Sequence, residues 1–164
     1  DMRRPRIARY LNIDKQDGLS EYLAGLWDNA EITKNTDLGF DVIVSGNVSS
    51  SSAELLATPR VDALFDECSR EYDYIIIDTP PINTVADAQI ISTFVDGVVL
   101  VAKSGNTTSD ELNTAIEAVS RAGGNLCGVV LNDLNMKSVK YSYKYKYGDK
   151  YGYKYSYSDP YETR

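Results

Sequence analysis

The sequence predicts an α/β fold in which a doubly wound, mostly parallel sheet is packed between helices. Residues 74–78, 97–102 and 126–131 are short runs of almost continuous apolar residues. Because strands with one face in water alternate in polarity, these runs indicate central strands that are covered on both faces. Helical patterns with short links separate the runs, and this alternation is typical of a doubly wound sheet. Such folds bind their ligands at the carboxyl ends of the strands.

The remaining elements are predicted from the spacing of apolar residues and from capping residues. Residues 19–27 carry apolar side chains at helical spacing, and residues 40–45 predict a strand that Gly46 stops. The polar residues 47–52 predict a loop. A helix begins at Thr58, whose hydroxyl can cap it, with Pro59 in its first turn. Residues 87–95 predict a short helix, and residues 109–122 predict a longer one that Ser109 caps.

The chain divides into a folded part, residues 1–136, and a tyrosine-rich tail, residues 137–164. Nine of the 13 tyrosines lie in the tail, spaced by lysine, serine and glycine. With no leucine, isoleucine, phenylalanine or tryptophan after Asn135, the tail has little to bury and is predicted to be disordered. The alternating tyrosines leave an edge strand as the alternative.

Composition excludes several classes of site. The chain has no histidine, which removes the usual general base and most zinc sites. Cys68 and Cys127 lie at apolar positions of a predicted helix and a predicted strand, so both are expected to be buried thiols rather than a disulfide or a metal pair. Catalysis would depend on carboxylates, lysines, arginines and a bound metal.

Charge is divided unevenly along the chain. Residues 1–136 carry 10 Lys and Arg against 21 Asp and Glu, whereas residues 137–164 carry 7 against 3. An acidic body with a basic tail argues against nucleic acid as a partner, because a nucleic-acid binder has its basic surface on the folded domain. The opposite charges predict attraction between tail and body.

Asp78 is the candidate catalytic and metal-binding residue. It follows the apolar run 74–77 and precedes Thr79, Pro80 and Pro81, so the strand delivers one carboxylate to its carboxyl end. Mg²⁺ prefers one or two carboxylates and keeps several waters, as expected at the Mg²⁺-nucleotide site of this architecture. The alternative is an ordinary aspartate before a proline turn. Asp1 and Arg3, just before Pro5, supply a further acidic and basic group.

A phosphate-binding loop is missing from the sequence. Phosphoryl transfer needs a glycine-rich loop whose backbone N–H groups and lysine hold the phosphates. No G-x-x-x-x-G-K-[ST] motif occurs in the 164 residues.

These motifs resemble the bacterial tyrosine kinases of capsule and exopolysaccharide synthesis, a branch of the deviant-Walker ATPases. The residues that carry the resemblance are 1–5, which match the latter half of a DxDxR motif followed by proline, 72–81 with the Walker B aspartate, 86–88, 128–132 and the tyrosine tail. The resemblance implies a P-loop NTPase-like fold, with residues 1–136 as a partial kinase domain. It also implies ATP and Mg²⁺ as cofactors. In this family the phosphate-binding loop lies upstream of the DxDxR motif, so the resemblance further implies that the chain is truncated at its N-terminus and is inactive alone.

The resemblance implies a role for each matching residue. Asp78 and Asp1 would be catalytic and would hold Mg²⁺, while Arg3 and Asn132 would bind the nucleotide, although Asn132 also suits a turn. Glu54 and Leu55 resemble an intersubunit contact. The implied phospho-acceptors are the tail tyrosines Tyr141, Tyr143, Tyr145, Tyr147, Tyr151, Tyr153, Tyr155, Tyr157 and Tyr161.

The implied activity is ATP-dependent autophosphorylation of the tail, which regulates polysaccharide polymerisation and export. The implied partners are further copies in a ring assembled by tail docking, a membrane activator that regulates chain length, and a tyrosine phosphatase. The expected location is the cytoplasm, at the inner face of the membrane. Two alternatives stay open: an ATPase of the Mrp, ParA or MinD type without kinase activity, and a nonenzymatic interaction protein with an adhesive tail.

Overall fold

The structure, a computed structural model, describes residues 1–47 and 51–134. Seven helices and four strands lie in these residues: α1 Ile7–Tyr10, α2 Leu19–Leu23, α3 Asn29–Ile32, β1 Thr33–Asn35, β2 Asp41–Ile43, α4 Ser52–Leu56, α5 Arg60–Glu71, α6 Asp87–Ile91, β3 Val98–Lys103, α7 Ser109–Ala122 and β4 Leu126–Asn132. The tail, residues 137–164, lies outside the described part. Among the described helices the longest has 14 residues, and none has the length and apolar character that a membrane crossing requires.

The second half of the described chain is a parallel strand–helix–strand unit. β3 and β4 pair in parallel, with Leu100 beside Val129 and Ala102 beside Leu131. Helix α7 connects them and packs Ala115, Ala118 and the fully buried Val119 against one face of this sheet. This part of the predicted parallel sheet forms as expected.

Helix α7 is fixed at both ends by local hydrogen bonds. At its start, Thr108 Oγ1 accepts a hydrogen bond from Glu111 N at 3.2 Å, and Glu111 Oε2 accepts one from Thr108 N at 2.8 Å. This reciprocal pair is a capping box. Gly123, with a φ of 81°, ends the helix in the left-handed conformation. The cap is therefore Thr108 rather than the expected Ser109, because Thr108 is the residue placed three before Glu111.

The first half is built around a separate apolar cluster. Its buried members come from the N-terminal segment and from helices α2 to α6, and they are Met2, Tyr22, Leu23, Ile32, Leu56, Val61, Leu64, Cys68 and Ile91. The short strands β1 and β2 form an antiparallel hairpin over it. Tyr72, at the end of α5, donates a hydrogen bond to Asp41 of β2 at 2.7 Å, and this bond raises the pKa of Tyr72 to about 12.

The structure corrects three helix predictions. The predicted helix 19–27 ends at Leu23, since Gly25 takes a φ of +77°, and Leu26 is left 70% exposed. The predicted helix 87–95 ends at Ile91. Helix α5 begins at Arg60, and Thr58 donates its hydroxyl hydrogen bond back to Leu55 rather than capping α5.

Three strand predictions also change. Residues 41–43 of the predicted strand 40–45 pair with β1 in the hairpin and take no part in the parallel sheet. Residues 74–78 have no regular secondary structure, because no strand of the described chain hydrogen-bonds to them. Cys127, expected to be buried, is exposed, since only one face of the two-stranded parallel sheet is covered by a helix.

Candidate active site

The structure brings together Asp1 and Asp78, which are 77 positions apart in sequence. The α-amino group of Asp1 donates a hydrogen bond to the backbone carbonyl of Asp78 at 2.6 Å and lies 3.8 Å from Asp78 Oδ2. The Asp78 side chain is 56% exposed, so its carboxylate is open to solvent. The two residues predicted to be catalytic are thus neighbours at the end of residues 74–78.

The carboxylate of Asp1 is oriented by its own turn. Asp1 Oδ1 accepts hydrogen bonds from the backbone N–H groups of Arg3 at 2.9 Å and Arg4 at 3.0 Å. The first turn of the chain therefore holds the Asp1 carboxylate in a fixed orientation next to Asp78.

An ion pair between the half-buried Arg3 and the buried Asp87 lies directly beneath this turn. The Arg3 guanidinium donates three hydrogen bonds to the carboxylate of Asp87, at 2.8 to 3.2 Å. Ser52, which is fully buried, donates a fourth to Asp87 Oδ2 at 2.7 Å. Burial alone would raise the pKa of Asp87, but the hydrogen bonds from Arg3 and Ser52 outweigh it and hold that pKa below its usual range.

This ion pair gives Arg3 a role that the sequence does not reveal. Its Nε and Nη2 atoms donate to Asp87, and the expected contact of Arg3 with the nucleotide stays a prediction. Asp87 is 2% exposed and opens helix α6, so one carboxylate joins the N-terminal turn, α4 and α6. The sequence marks Asp87 only as an acidic residue at the start of an apolar helix, and nothing local marks Arg3 as its partner.

Glu21 forms a second buried carboxylate centre, which sequence reasoning missed. It accepts hydrogen bonds from Gly18 N, Ser20 Oγ, and both the backbone and the side chain of Asn47, at 2.7 to 3.2 Å. Burial would raise the pKa of Glu21, but these four donors hold it below its usual range. The carboxylate also lies where a side chain on Gly46 would have to fit, since a Cβ there would stand 1.9 Å from Glu21 Oε2. Glu21 thus joins the start of α2 to Asn47.

The remaining candidate residues lie elsewhere. Asn132 ends β4, is exposed, and accepts a hydrogen bond from Asp133 N at 2.9 Å. Glu54 is exposed on α4, whereas Leu55 is half-buried against the first apolar cluster. The phospho-acceptor tyrosines lie outside the described residues.

Asp1 and Asp78 carry the type of donor atom that Mg²⁺ prefers. Both side chains offer carboxylate oxygens, and Asp78 is open to solvent, which suits a metal that keeps several waters. In residues 1–47 and 51–134, no three acidic or cysteine side chains converge as metal ligands. Any Mg²⁺ here would therefore use two carboxylates at most, a number that this ion accepts together with phosphate oxygens.

Comparison with known proteins decides the family. The chain is 36% identical over 145 residues to the tyrosine-protein kinase Etk of Escherichia coli K12 and 33% identical over 145 residues to CapB of Staphylococcus aureus. The solved kinase domain of E. coli Etk superposes with a TM-score of 0.81 at 31% identity, covering 94% of this chain. The chain belongs to the bacterial tyrosine kinases. No protein-family model matches it.

The match extends over only part of these kinases. The chain spans 20% of the length of Etk and 64% of CapB, and 58% of the solved Etk kinase domain. The same superposition confirms the predicted P-loop type α/β fold. The described part of this bacterial tyrosine kinase thus corresponds to a portion of a kinase domain.

Proposed function

We propose that this chain is part of an ATP-dependent tyrosine autokinase, with Asp78 and Asp1 at its phosphoryl-transfer site. The observation that supports this most directly is the convergence of Asp1 and Asp78 beside the Arg3–Asp87 pair. The kinase names of the relatives supply the reaction class.

Each residue contributes through its charge and position. Asp78 and Asp1 would hold Mg²⁺, which when bound neutralises charge on the phosphate oxygens of ATP. The turn of residues 1–4 keeps the Asp1 carboxylate oriented, and Asp87 holds Arg3 so that this turn stays against α6. Phosphoryl transfer is mainly a matter of positioning and electrostatics, so rigid supports of this kind serve it directly.

The phosphate-binding loop would come from polypeptide outside these 164 residues. Residues 1–164 alone should therefore bind Mg²⁺-ATP no better than an unrelated acidic protein does. Calorimetric titration checks this, and micromolar affinity would contradict it.

The decisive experiment replaces Asp78 by asparagine in the full gene product. Asp78→Asn is nearly isosteric and should leave folding intact while lowering tyrosine phosphorylation by at least two orders of magnitude, because the metal loses a charged ligand. Asp73→Asn, a change at an exposed aspartate of the same segment, is the matched control. Phosphotyrosine mapping by mass spectrometry gives the readout. Full phosphorylation in Asp78→Asn would refute the assignment, and ATP hydrolysis without phosphotyrosine in the unaltered protein would favour a non-kinase ATPase.

The nine tail tyrosines are the proposed acceptors, and their modification would control assembly. Residues 137–164 carry a balance of +4 and residues 1–136 a balance of −11, so an unmodified tail is attracted to a neighbouring body. Each phosphate adds about −1.5 to −2, so two or three modified tyrosines cancel that attraction. The unphosphorylated kinase would form a ring and the phosphorylated one a monomer. Light scattering before and after incubation with Mg²⁺-ATP tests this, and an unchanged mass despite tail phosphorylation would contradict it.

The same proposal places the kinase at the inner face of the cell membrane. There it would act with a membrane activator of polysaccharide export and a tyrosine phosphatase. Asn132 would lie on the nucleotide side, and Glu54 with Leu55 on the intersubunit face. Asn132→Ala should raise the KM for ATP without changing assembly, whereas Glu54→Ala should weaken assembly without changing that KM; the reverse pattern would overturn both roles.

A further inference from the structure

Ser52 is the first residue of the short helix α4, and its hydroxyl lies in the interior of the fold. The side chain is fully buried, and its Oγ donates a hydrogen bond to Asp87 Oδ2 at 2.7 Å. A buried hydroxyl needs a partner of this kind, because an unpaired one loses its hydration without compensation. The partner of Ser52 is the same carboxylate that holds Arg3.

Both carboxylate oxygens of Asp87 accept hydrogen bonds. Oδ1 accepts one from Arg3 Nη2 at 2.8 Å, while Oδ2 accepts one from Arg3 Nε at 3.0 Å and the one from Ser52. The guanidinium and the carboxylate thus meet through two parallel hydrogen bonds. This bidentate arrangement is geometrically specific, so it requires the carboxylate to be turned to one orientation.

The hydrogen bond from Ser52 restricts that orientation. The terminal torsion of an aspartate side chain is broad, so the backbone of α6 does not by itself set the plane of the Asp87 carboxylate. Ser52 ties one of the two oxygens to α4 and thereby limits rotation of the carboxylate. Ser52 and Asp87 are buried, whereas Arg3 is 32% exposed, so the interior of the fold sets the position of the more accessible arginine.

Arg3 connects this buried contact to Asp1. Its side chain is bonded to Asp87, and its backbone N–H donates to Asp1 Oδ1 at 2.9 Å. The backbone N–H of Arg4 donates to the same oxygen at 3.0 Å. The orientation of the Asp1 carboxylate therefore depends on how firmly Arg3 is held.

We propose that Ser52 is a positioning residue for phosphoryl transfer, which acts through Asp87 and Arg3 to fix the direction of the Asp1 carboxylate. This inference rests on the proposed function, because it takes Asp1 as a ligand of Mg²⁺. Ser52 acts on the site indirectly, since two residues connect its hydroxyl to Asp1. A displacement of a reacting group by about 1 Å can lower a rate on the order of a hundredfold, so an indirect support of this kind has a measurable effect.

The proposal gives the two short helices α4 and α6 a role at the site. Each has five residues, and the two helices pack against each other. Helices of this length are not stable in isolation, so their positions depend on tertiary contacts. The contact between α4 and α6 is therefore one of the features that set the geometry of the Asp1 turn.

The test compares Ser52→Ala with Ser92→Ala in the full gene product. Ser92 provides a matched control, because it is also buried, at 2% exposure, and its hydroxyl donates to the backbone carbonyl of Gln89 at 2.6 Å rather than to Asp87. Each variant loses one hydroxyl hydrogen bond of a buried serine. The urea midpoints of the two variants should therefore fall by similar amounts, so that a difference in activity does not reflect a difference in stability.

Ser52→Ala should lower the kcat of tyrosine phosphorylation at least fivefold and raise the half-saturating Mg²⁺ concentration at least threefold. Ser92→Ala should leave both quantities within twofold of the unaltered protein. Hydrogen–deuterium exchange followed by mass spectrometry gives a readout that does not depend on activity. The backbone amides of Arg3 and Arg4 should exchange at least fivefold faster in Ser52→Ala and at the unaltered rate in Ser92→Ala.

Equal kinetics in the two serine variants would overturn the proposal. Faster exchange at Arg3 and Arg4 without a loss of kcat would also overturn it, because the role of Ser52 would then be structural only. A lowered kcat with unchanged exchange would overturn it as well, since Ser52 would then act by another route. These three outcomes leave the proposed function intact, whereas absence of phosphotyrosine from the unaltered protein would refute both.

Discussion

Replacing Asp87 by alanine tests how strongly the ion pair at the start of α6 stabilises the fold. Asp87 is 2% exposed and accepts four hydrogen bonds, three from Arg3 and one from the fully buried hydroxyl of Ser52. Asp87→Ala leaves Ser52 without its acceptor, which costs about 1 to 3 kcal/mol for a buried donor. It also removes charge-assisted bonds worth about 1.5 to 3 kcal/mol.

The two contributions sum to an expected loss in the free energy of unfolding of about 2.5 to 6 kcal/mol, and the lower part of this range is expected because Arg3 is 32% exposed. Urea unfolding of residues 1–164 at pH 7 measures it. Ser52→Ala, which removes one donor and leaves the ion pair, should cost only about 1 kcal/mol. Asp66→Ala, a change at an exposed aspartate of α5, should stay within about 0.5 kcal/mol of the unaltered chain.

The loss in the free energy of unfolding caused by Asp87→Ala should also depend on pH. The folded chain holds the pKa of Asp87 below its ordinary value of about 3.9, so the ionised carboxylate stabilises the fold above about pH 4. This contribution is lost as the pH falls through the pKa of the folded state, and the difference between the two proteins should narrow in acid. A loss below about 1 kcal/mol at pH 7, or one that stays constant into acid, would refute the account.

Three further substitutions test other parts of the fold. Glu21→Gln should lower the free energy of unfolding by about 2 kcal/mol, because an amide cannot accept all four hydrogen bonds that the carboxylate accepts, and thermal melting checks this. Thr108→Ala should lower the free energy of unfolding by about 1 kcal/mol because α7 loses its cap. Thr114→Ala, at an exposed position of the same helix, should lower it by less, and melting followed by circular dichroism measures both. Val119→Ala should lower the free energy of unfolding in urea by about 2 to 3 kcal/mol, because the side chain is fully buried. Val101→Ala, at a 67% exposed residue, should change it very little. Equal losses for the two variants would contradict the assigned core.

The sequence predicts those elements whose determinants are local. The apolar runs of β3 and β4 and the apolar spacing of α7 suffice to predict the parallel unit, and its capping threonine lies one residue from the expected serine. Residues 74–78 have an equally clear strand pattern and do not form a strand, because a strand also needs backbone partners beside it. The local sequence pattern therefore predicts that residues 74–78 favour an extended strand, but it does not predict whether another strand pairs with them.

The candidate site shows the same division. The position of Asp78 at the end of an apolar run could be predicted, and its proximity to Asp1 followed from a family resemblance. The Arg3–Asp87–Ser52 contact could not be predicted, since it joins three segments separated by 35 to 84 residues. Glu21 is similar: its partner Asn47 lies 26 residues away, and nothing in the sequence marks a glutamate on an apolar helix face as buried.

Helix α6 has a consequence for the cooperativity of unfolding. Its five residues contribute Ile91 to the first apolar cluster and Ala88 to the second, and they begin with the buried Asp87. The stability of one apolar cluster is therefore coupled to that of the other largely through this short helix. Weakening α6 should convert a single unfolding transition into two, with the β3–α7–β4 unit and the N-terminal half melting as separate cooperative units.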